Sequence, residues 1–383
     1  MQAPLVLRCR LFVHRFVLLQ LKHTMQLSSR RPGAAKHAFK SGSRTTWAWS
    51  RPCSRASQQQ QSVRCQAAEP APAAKAVGRD RYRPQSYSEL VADASKAVMA
   101  AIEDGISLME VEFPAVPTNI DAYKGSSDLF IDANIQYALL AAKQIAATGR
   151  KVHLVAPDFG EYARSYKMFK SSLDLIPGVS MGHLKEARAA DLVTGFQSFF
   201  AGGAPESAAA GAAADVYIVT NITGVELPAL EEYTQQVTKG KPVVTWNLEL
   251  DTLRGDLGLL GYPPKEVQYR FLSRVRPVFF LRARDYSKSV SVAPFIINYS
   301  GALFREYPGP WQVLLKQDSG EYACIAEDGL RYNLGEVKEE LMAAMGLNTE
   351  EAGSTMAFLR RGYKTSTWFE DDAELEQHKD WRM

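Results

Sequence analysis

Three short polar residues stand where apolar runs end: Asp158 after Lys151–Pro157, Asn221 after Asp215–Thr220, and Asn247 closing Pro242–Asn247. An open α/β sheet binds ligands outside the carboxyl ends of its strands. Polar groups there would hydrogen-bond a nucleotide or metabolite. Asn and Asp also form turns by bonding their own backbone, and both readings stand. A second set, Phe304, Arg305, Tyr307 and Trp311, lies in the segment Ala293–Leu314, which carries five aromatics and the turn Pro308-Gly309-Pro310. Aromatics and arginine dominate binding hot spots, so these four are candidate partner contacts. They could equally serve as core and turn.

The chemistry that the chain lacks is as informative. It has no Gly-x-x-x-x-Gly-Lys-Ser/Thr loop, no Gly-x-Gly-x-x-Gly after its first strand, and no Gly-x-Ser-x-Gly elbow. No kinase or deaminase set is present, no catalytic residues are assigned, and no cofactor is expected. His153 lies inside a strand without partner spacing, and Cys324 alternates like a small core residue, so no metal site is expected.

The elements that would position these residues alternate. Ser86 and Glu89 form a capping box before a helix faced by Val91, Ala94, Val98 and Ile102, and Gly105 closes it. A strand over 106–113 follows. Asp128 opens a helix with core face Ile131, Ile135, Ala138, Ala142 and Ile145. The continuous apolar strand after it marks a parallel sheet buried on both faces. A helix near 162–169 and a strand near 179–184 come next. Residues 201–214 are a Gly/Ala-rich surface loop. A strand at 215–220, a helix at 227–237, a strand at 242–247 and a helix from Pro263 to Leu272 complete the alternation. Residues 275–284, 290–300, 311–316 and 321–326 then read as strands without intervening helices, the last two joined by the turn Gln317-Asp318-Ser319-Gly320. Asn333 with Glu336 caps a helix, and Thr349 opens a last one to Arg361. The expected fold is α/β: a Rossmann-like, doubly wound, mostly parallel sheet with an antiparallel C-terminal extension and C-terminal helices.

Residues 1–68 contain no Asp or Glu but twelve Lys and Arg among Ser, Thr, Gln and Ala. That is the composition of an organelle transit peptide. Val63-Arg64-Cys65-Gln66-Ala67-Ala68 resembles a stromal processing site, so a chloroplast leader over 1–66 is expected. A mitochondrial presequence is the rival reading, and Met25 is a second plausible start. Arg8, Arg10, His14 and Arg15 interrupt Leu5–Leu21, which falls short of the ~18–20 apolar residues of a membrane span. Without the leader's twelve bases, 33 basic face 42 acidic residues, a net of −9 for 67–383. This disfavours nucleic-acid binding. A disordered linker over 67–85, an α/β domain over 86–365 and a mobile acidic tail over 366–383 complete the expected organisation.

Pro263–Leu272, Ala293–Leu314, and Phe358–Lys364 with Trp368 together resemble a plastid and cyanobacterial domain family of unknown biochemical activity, DUF1995, over roughly residues 83–383. Within the family they are most similar to a green-plant branch of photosystem II accumulation factors. Some members carry a fused adenylate kinase, but this chain has no P-loop, so that activity does not carry over. The resemblance implies a non-enzymatic auxiliary factor in photosystem II biogenesis, located in the stroma or on the stromal thylakoid surface. It would assist insertion or assembly of a chlorophyll-binding core-antenna subunit, with a YidC/Albino-type insertase as a further partner. The alternative is a Rossmann-like nucleotide- or metabolite-binding plastid protein or enzyme.

Overall fold

The alternating apolar periods build a nine-stranded sheet in the order β3-β2-β4-β5-β1-β6-β7-β8-β9, here in a computed structural model. The structure describes residues 82–116, 127–185, 209–289, 295–347 and 366–383, all within the unit Pro72–Met383. The strands are β1 (Leu108–Glu112), β2 (Val152–Ala156), β3 (Val179–His183), β4 (Val216–Thr220), β5 (Val243–Trp246), β6 (Arg276–Ser289), β7 (Ile296–Glu306), β8 (Trp311–Lys316) and β9 (Tyr322–Asp328). Strands β1 to β6 pair in parallel; β6 to β9 pair antiparallel. The expected fold class is the one observed.

Helices cover both faces, which is why β1, β2, β4 and β5 are buried along their whole length. Helices α1 (Tyr87–Glu103), α2 (Ser127–Ala146) and α3 (Phe159–Asp174) bury Val91, Val98, Ile135, Ile145 and Leu173 against Met109, Val111, Leu154, Ile218 and Trp246. Ser86 caps α1, its Oγ accepting from the Glu89 amide; the Glu89 carboxylate reaches past the cap to the Gln85 amide, so only half of the expected reciprocal box forms. The opposite face carries α4 (Leu227–Tyr233), α5 (Leu250–Asp256) and α6 (Glu266–Arg270), with Leu227, Leu250, Val267 and Leu272 packed on Tyr217, Val219 and Val243. Helix α7 (Leu334–Ala344) lies on the antiparallel wing and contributes Val337 and Leu341. It approaches so closely that a Cβ at Gly301 would sit 2.7 Å from Leu341 Cδ1 and 2.9 Å from the Leu314 carbonyl.

Several expectations are corrected. Helix α5 had no sequence signal, because Glu249 before it is left-handed (φ 52°) and supplies no side-chain cap. The second strand of the extension does not end at Ser300: β7 continues to Glu306 and pairs with β6 as far as Phe279. Tyr82, inside the expected linker, stacks on Phe304 at 4.5 Å. The end of the Gly/Ala-rich stretch is not surface loop. Residues 209–212 are helical, Ala214 is buried, and the Gly211 carbonyl accepts from Tyr217 Oη at 2.8 Å. The rest of that stretch, the leader and the helix expected at 349–361 lie outside the described residues.

The acidic tail is packed, not mobile. It opens with α8 (Trp368–Asp371), capped by Thr367. Phe369 and Trp381 are buried and meet edge-on at 5.8 Å. Its acids are matched by basic and polar partners: Asp372 by Lys265 and Tyr269, Asp380 by Arg276, and Glu376 by Arg382, Gln268 and Trp381. Composition reported the acids; the aromatic anchors decided the outcome. Trp381→Ala should therefore cost about 3 kcal/mol or more, as for a large core aromatic, read as a lower urea midpoint. An unchanged midpoint would mean that the segment contributes nothing to stability.

Candidate functional site

At the carboxyl ends of β4 and β5 the chain turns through the left-handed region at Asn221 (φ 57°) and Asn247 (φ 49°). Asn tolerates this conformation better than most side chains. Both side chains then turn inward onto Asn134 of α2. Asn247 donates to the Asn134 carbonyl oxygen at 3.0 Å, and Asn134 donates to Asn221 at 3.1 Å. Asn247 also accepts from the Phe113 amide at 2.9 Å, and Asn221 donates to the Ile131 carbonyl at 3.3 Å. This relay closes the edge above β4, β5 and β1 with the chain's own groups. Asp158 takes no part; it caps α3 by accepting from the Glu161 amide at 3.0 Å. His153 is buried on Ser180 at 2.8 Å, and burial lowers its pKa to about 4, so it stays neutral. Cys324 is half-buried.

Phe304, Arg305 and Trp311, expected as partner contacts, are buried within the chain at 5%, 6% and 0% exposure. The sheet is covered on both faces around Phe304 and Arg305 of β7 and Trp311 of β8, so strand alternation brings none of the three out. Phe304 meets Phe279 and Tyr82 on the α1 side. Arg305, on the other side, donates to the Pro277 and Met383 carbonyls and lies 5.3 Å from the Trp311 ring centre. Burial lowers its pKa to about 10. Tyr307 is half-exposed and donates to Asp104 at 2.7 Å, tying the end of β7 to α1.

The open concavity lies on the α1 side of the antiparallel wing. Leu281, Ala283, Ala302 and Leu314 form an apolar floor, Tyr82, Tyr87 and Pro114 one wall, and Tyr322 the other, around a volume of about 640 Å³. Arg83 and Glu321 pair across its rim at 2.8 Å. Phe304 thus supports the cleft indirectly, by holding Tyr82.

The opposite face holds a charge cluster that was not anticipated. Glu110 and Glu112, two apart on β1, point to the same side and are 1% and 4% exposed. Both Glu110 oxygens and one Glu112 oxygen have no hydrogen-bond partner. Arginines converge on them from three elements. Arg254 of α5 bonds Asp251 at 2.9 Å and stands 4.0 Å from Glu110. Arg282 of β6 lies 3.2 Å from Glu112 and 3.6 Å from Asp251. Arg284 and Arg331 reach the same Asp251 oxygen at 3.3 and 2.7 Å. Burial pushes the Glu112 carboxyl up to about 8 against the pull of Arg282, and it raises Glu110 despite Arg254. Burial works upward on Asp251 too, but Arg331, Arg254, Arg282 and Arg284 together hold it well below the usual carboxylate range. The signal was present: two acids at i and i+2 in an otherwise apolar strand, and two arginines at i and i+2 in β6.

Residues 84–339 match the family described as a domain of unknown function, DUF1995, and the chain belongs to it. No curated protein and no solved structure matches the chain. Among the described residues no helix is long and apolar enough to cross a membrane, and no group of His, Cys, Asp and Glu could hold a metal ion.

Two outcomes test this geometry. Asn247→Ala leaves the buried Phe113 amide without its acceptor, at about 1–3 kcal/mol, and keeps a Cβ in the left-handed region without the Asn side chain that tolerates it. Asn247→Gly avoids the second cost and should be the more stable of the two by about 1 kcal/mol; equal midpoints would contradict the strained turn. Glu112 has a folded-state pKa near 8, above its ordinary 4.5. The folded protein therefore holds an extra proton between those values, and stability falls as pH rises through the window, by at most about 1.4 kcal/mol per unit. Glu112→Gln should flatten the stability–pH curve between pH 5 and 8; an unaltered slope would exclude Glu112 as its source.

Proposed function

We propose that the protein is a non-enzymatic auxiliary factor of photosystem II biogenesis, related to the Low PSII Accumulation 3 proteins. It acts in the chloroplast stroma or on the stromal face of the thylakoid membrane, assisting the insertion or assembly of a chlorophyll-binding core-antenna subunit. A YidC/Albino-type insertase is the expected further partner. The observation that carries this reading is the contrast between two surfaces. The sheet edge, where a Rossmann-like protein would bind a nucleotide, is filled by the Asn134–Asn221–Asn247 relay. The open surface is instead the apolar cleft of about 640 Å³ on the antiparallel wing. Its Leu, Ala, Pro and Tyr floor and walls, with Arg83, Ser319 and Glu321 at the polar rim, suit an apolar segment of a membrane subunit before that segment enters the bilayer. The acid-free, basic leader supports the plastid address.

The test is pulse-labelling of thylakoid proteins in cells that lack the protein. Slow synthesis or rapid loss confined to a photosystem II core subunit is expected, whereas normal labelling of every complex would sink the reading. Ala283 is exposed on the cleft floor, so Ala283→Arg should fold normally yet fail to restore labelling. Full restoration would move the working surface elsewhere.

A further inference from the structure

Four arginines gather on the α5–α7 side of the sheet. The groups facing one another are Glu110 and Glu112 of β1, Glu249 at the start of α5, Asp251 and Arg254 of α5, Arg282 and Arg284 of β6, Arg331 between β9 and α7, and Glu370 of α8. Glu370 is committed elsewhere, accepting the amides of Leu334 at 2.9 Å and Thr367 at 2.7 Å. All four guanidiniums contact Asp251, and Glu110 and Glu112 stand beside Arg254 and Arg282 with burial opposing the charge of both. Arg331, with a 6% exposed side chain, has an Nη1 group without a hydrogen-bond acceptor, and Arg282 Nη1 likewise makes ion pairs without a hydrogen bond. A buried guanidinium left short of acceptors is costly unless something supplies them.

A small pocket opens at this point; its polar lining is Asp251, Arg282, Arg284, Arg331, Tyr286, Tyr332 and Glu370, the last with both oxygens bonded to backbone amides. We propose that it binds one oxyanion, a phosphate or carboxylate group, clasped by Arg282, Arg284 and Arg331. The guanidinium fork matches the geometry of such a group in a way that an ammonium does not. The volume sets the size. It is about 20 Å³, little more than the ~10–15 Å³ that one water needs, so only an oxygen or two of the anionic group enters and the rest of the ligand stays outside. Burial also keeps the phenols of Tyr286 and Tyr332 protonated, the latter with its pKa pushed up to about 12, so neither opposes an anion with charge of its own. Arg284, about a third exposed at 34%, stands at the mouth. The site lies on the face opposite the apolar cleft and does not depend on how that cleft is used.

The test is calorimetric titration of the full chain with inorganic phosphate and, separately, with acetate. One saturable equivalent of either supports the site, and the tighter of the two assigns the group. Arg284→Gln, at the most exposed of the three arginines, should fold as the wild type does and weaken binding by roughly tenfold or more. Arg284→Lys should recover only part of the loss, because the charge returns without the fork. No saturable heat with either anion up to about 10 mM, a weaker limit than ordinary ligand affinities, would overturn the proposal. So would unchanged affinity in Arg284→Gln.

Discussion

The burial of two glutamates in the middle of the sheet is the constraint on which most of the C-terminal half depends. A carboxylate cannot be taken out of water without opposite charge or a proton. β1 is the central parallel strand, and both Glu110 and Glu112 are out of water. Arg254 from α5 and Arg282 from β6 stand beside them, and both share Asp251 with Arg284 of β6 and Arg331 from beyond β9, so one charge cluster draws together elements more than two hundred residues apart. The arginines need covering in turn. Trp381 provides that cover, with its ring centre 4.7 Å from Arg254, 5.1 Å from Arg331 and 4.2 Å from Arg382. The C-terminal segment is held where it is by the cations it shields.

The same organisation separates the two faces of the antiparallel wing. β6 leaves the parallel sheet already paired to β1 and continues as the first strand of the extension. Its even-numbered residues, Phe280, Arg282 and Arg284, serve the charge cluster; its odd-numbered residues, Phe279, Leu281 and Ala283, serve α1 and the apolar cleft. One strand, through the period-2 alternation of its side chains, builds the floor of the open cleft on one side and an arginine-lined pocket on the other.

Much of this was legible from residue spacing. The helix faces of α1 and α2, the caps at Ser86 and at Asn333–Glu336, and the apolar runs of β2, β4 and β5 are local signals, and they predicted the doubly wound sheet. What failed was tertiary. Phe304, Arg305 and Trp311 have the composition of a binding surface, yet the sheet is covered on both sides at these positions, which no local pattern announces. The acids at the C-terminus suggest mobility until Trp381 is seen to lie among arginines. Helix α5 begins without a capping side chain, so the segment carrying Asp251 and Arg254 went unread. Asn221 and Asn247 were found by position, but their meeting through Asn134 requires contacts across 87 and 113 residues.

The central claim is that the cleft on the α1 side is the working surface. It is tested most directly by placing a photoactivatable cross-linking amino acid at position 283 and illuminating chloroplasts during synthesis of thylakoid proteins. Capture of a newly made chlorophyll-binding core-antenna subunit from position 283, but not from a probe at exposed Leu260 on the opposite side, is the expected result. Equal capture from both positions, or none from 283 while another position captures the subunit, would contradict the account.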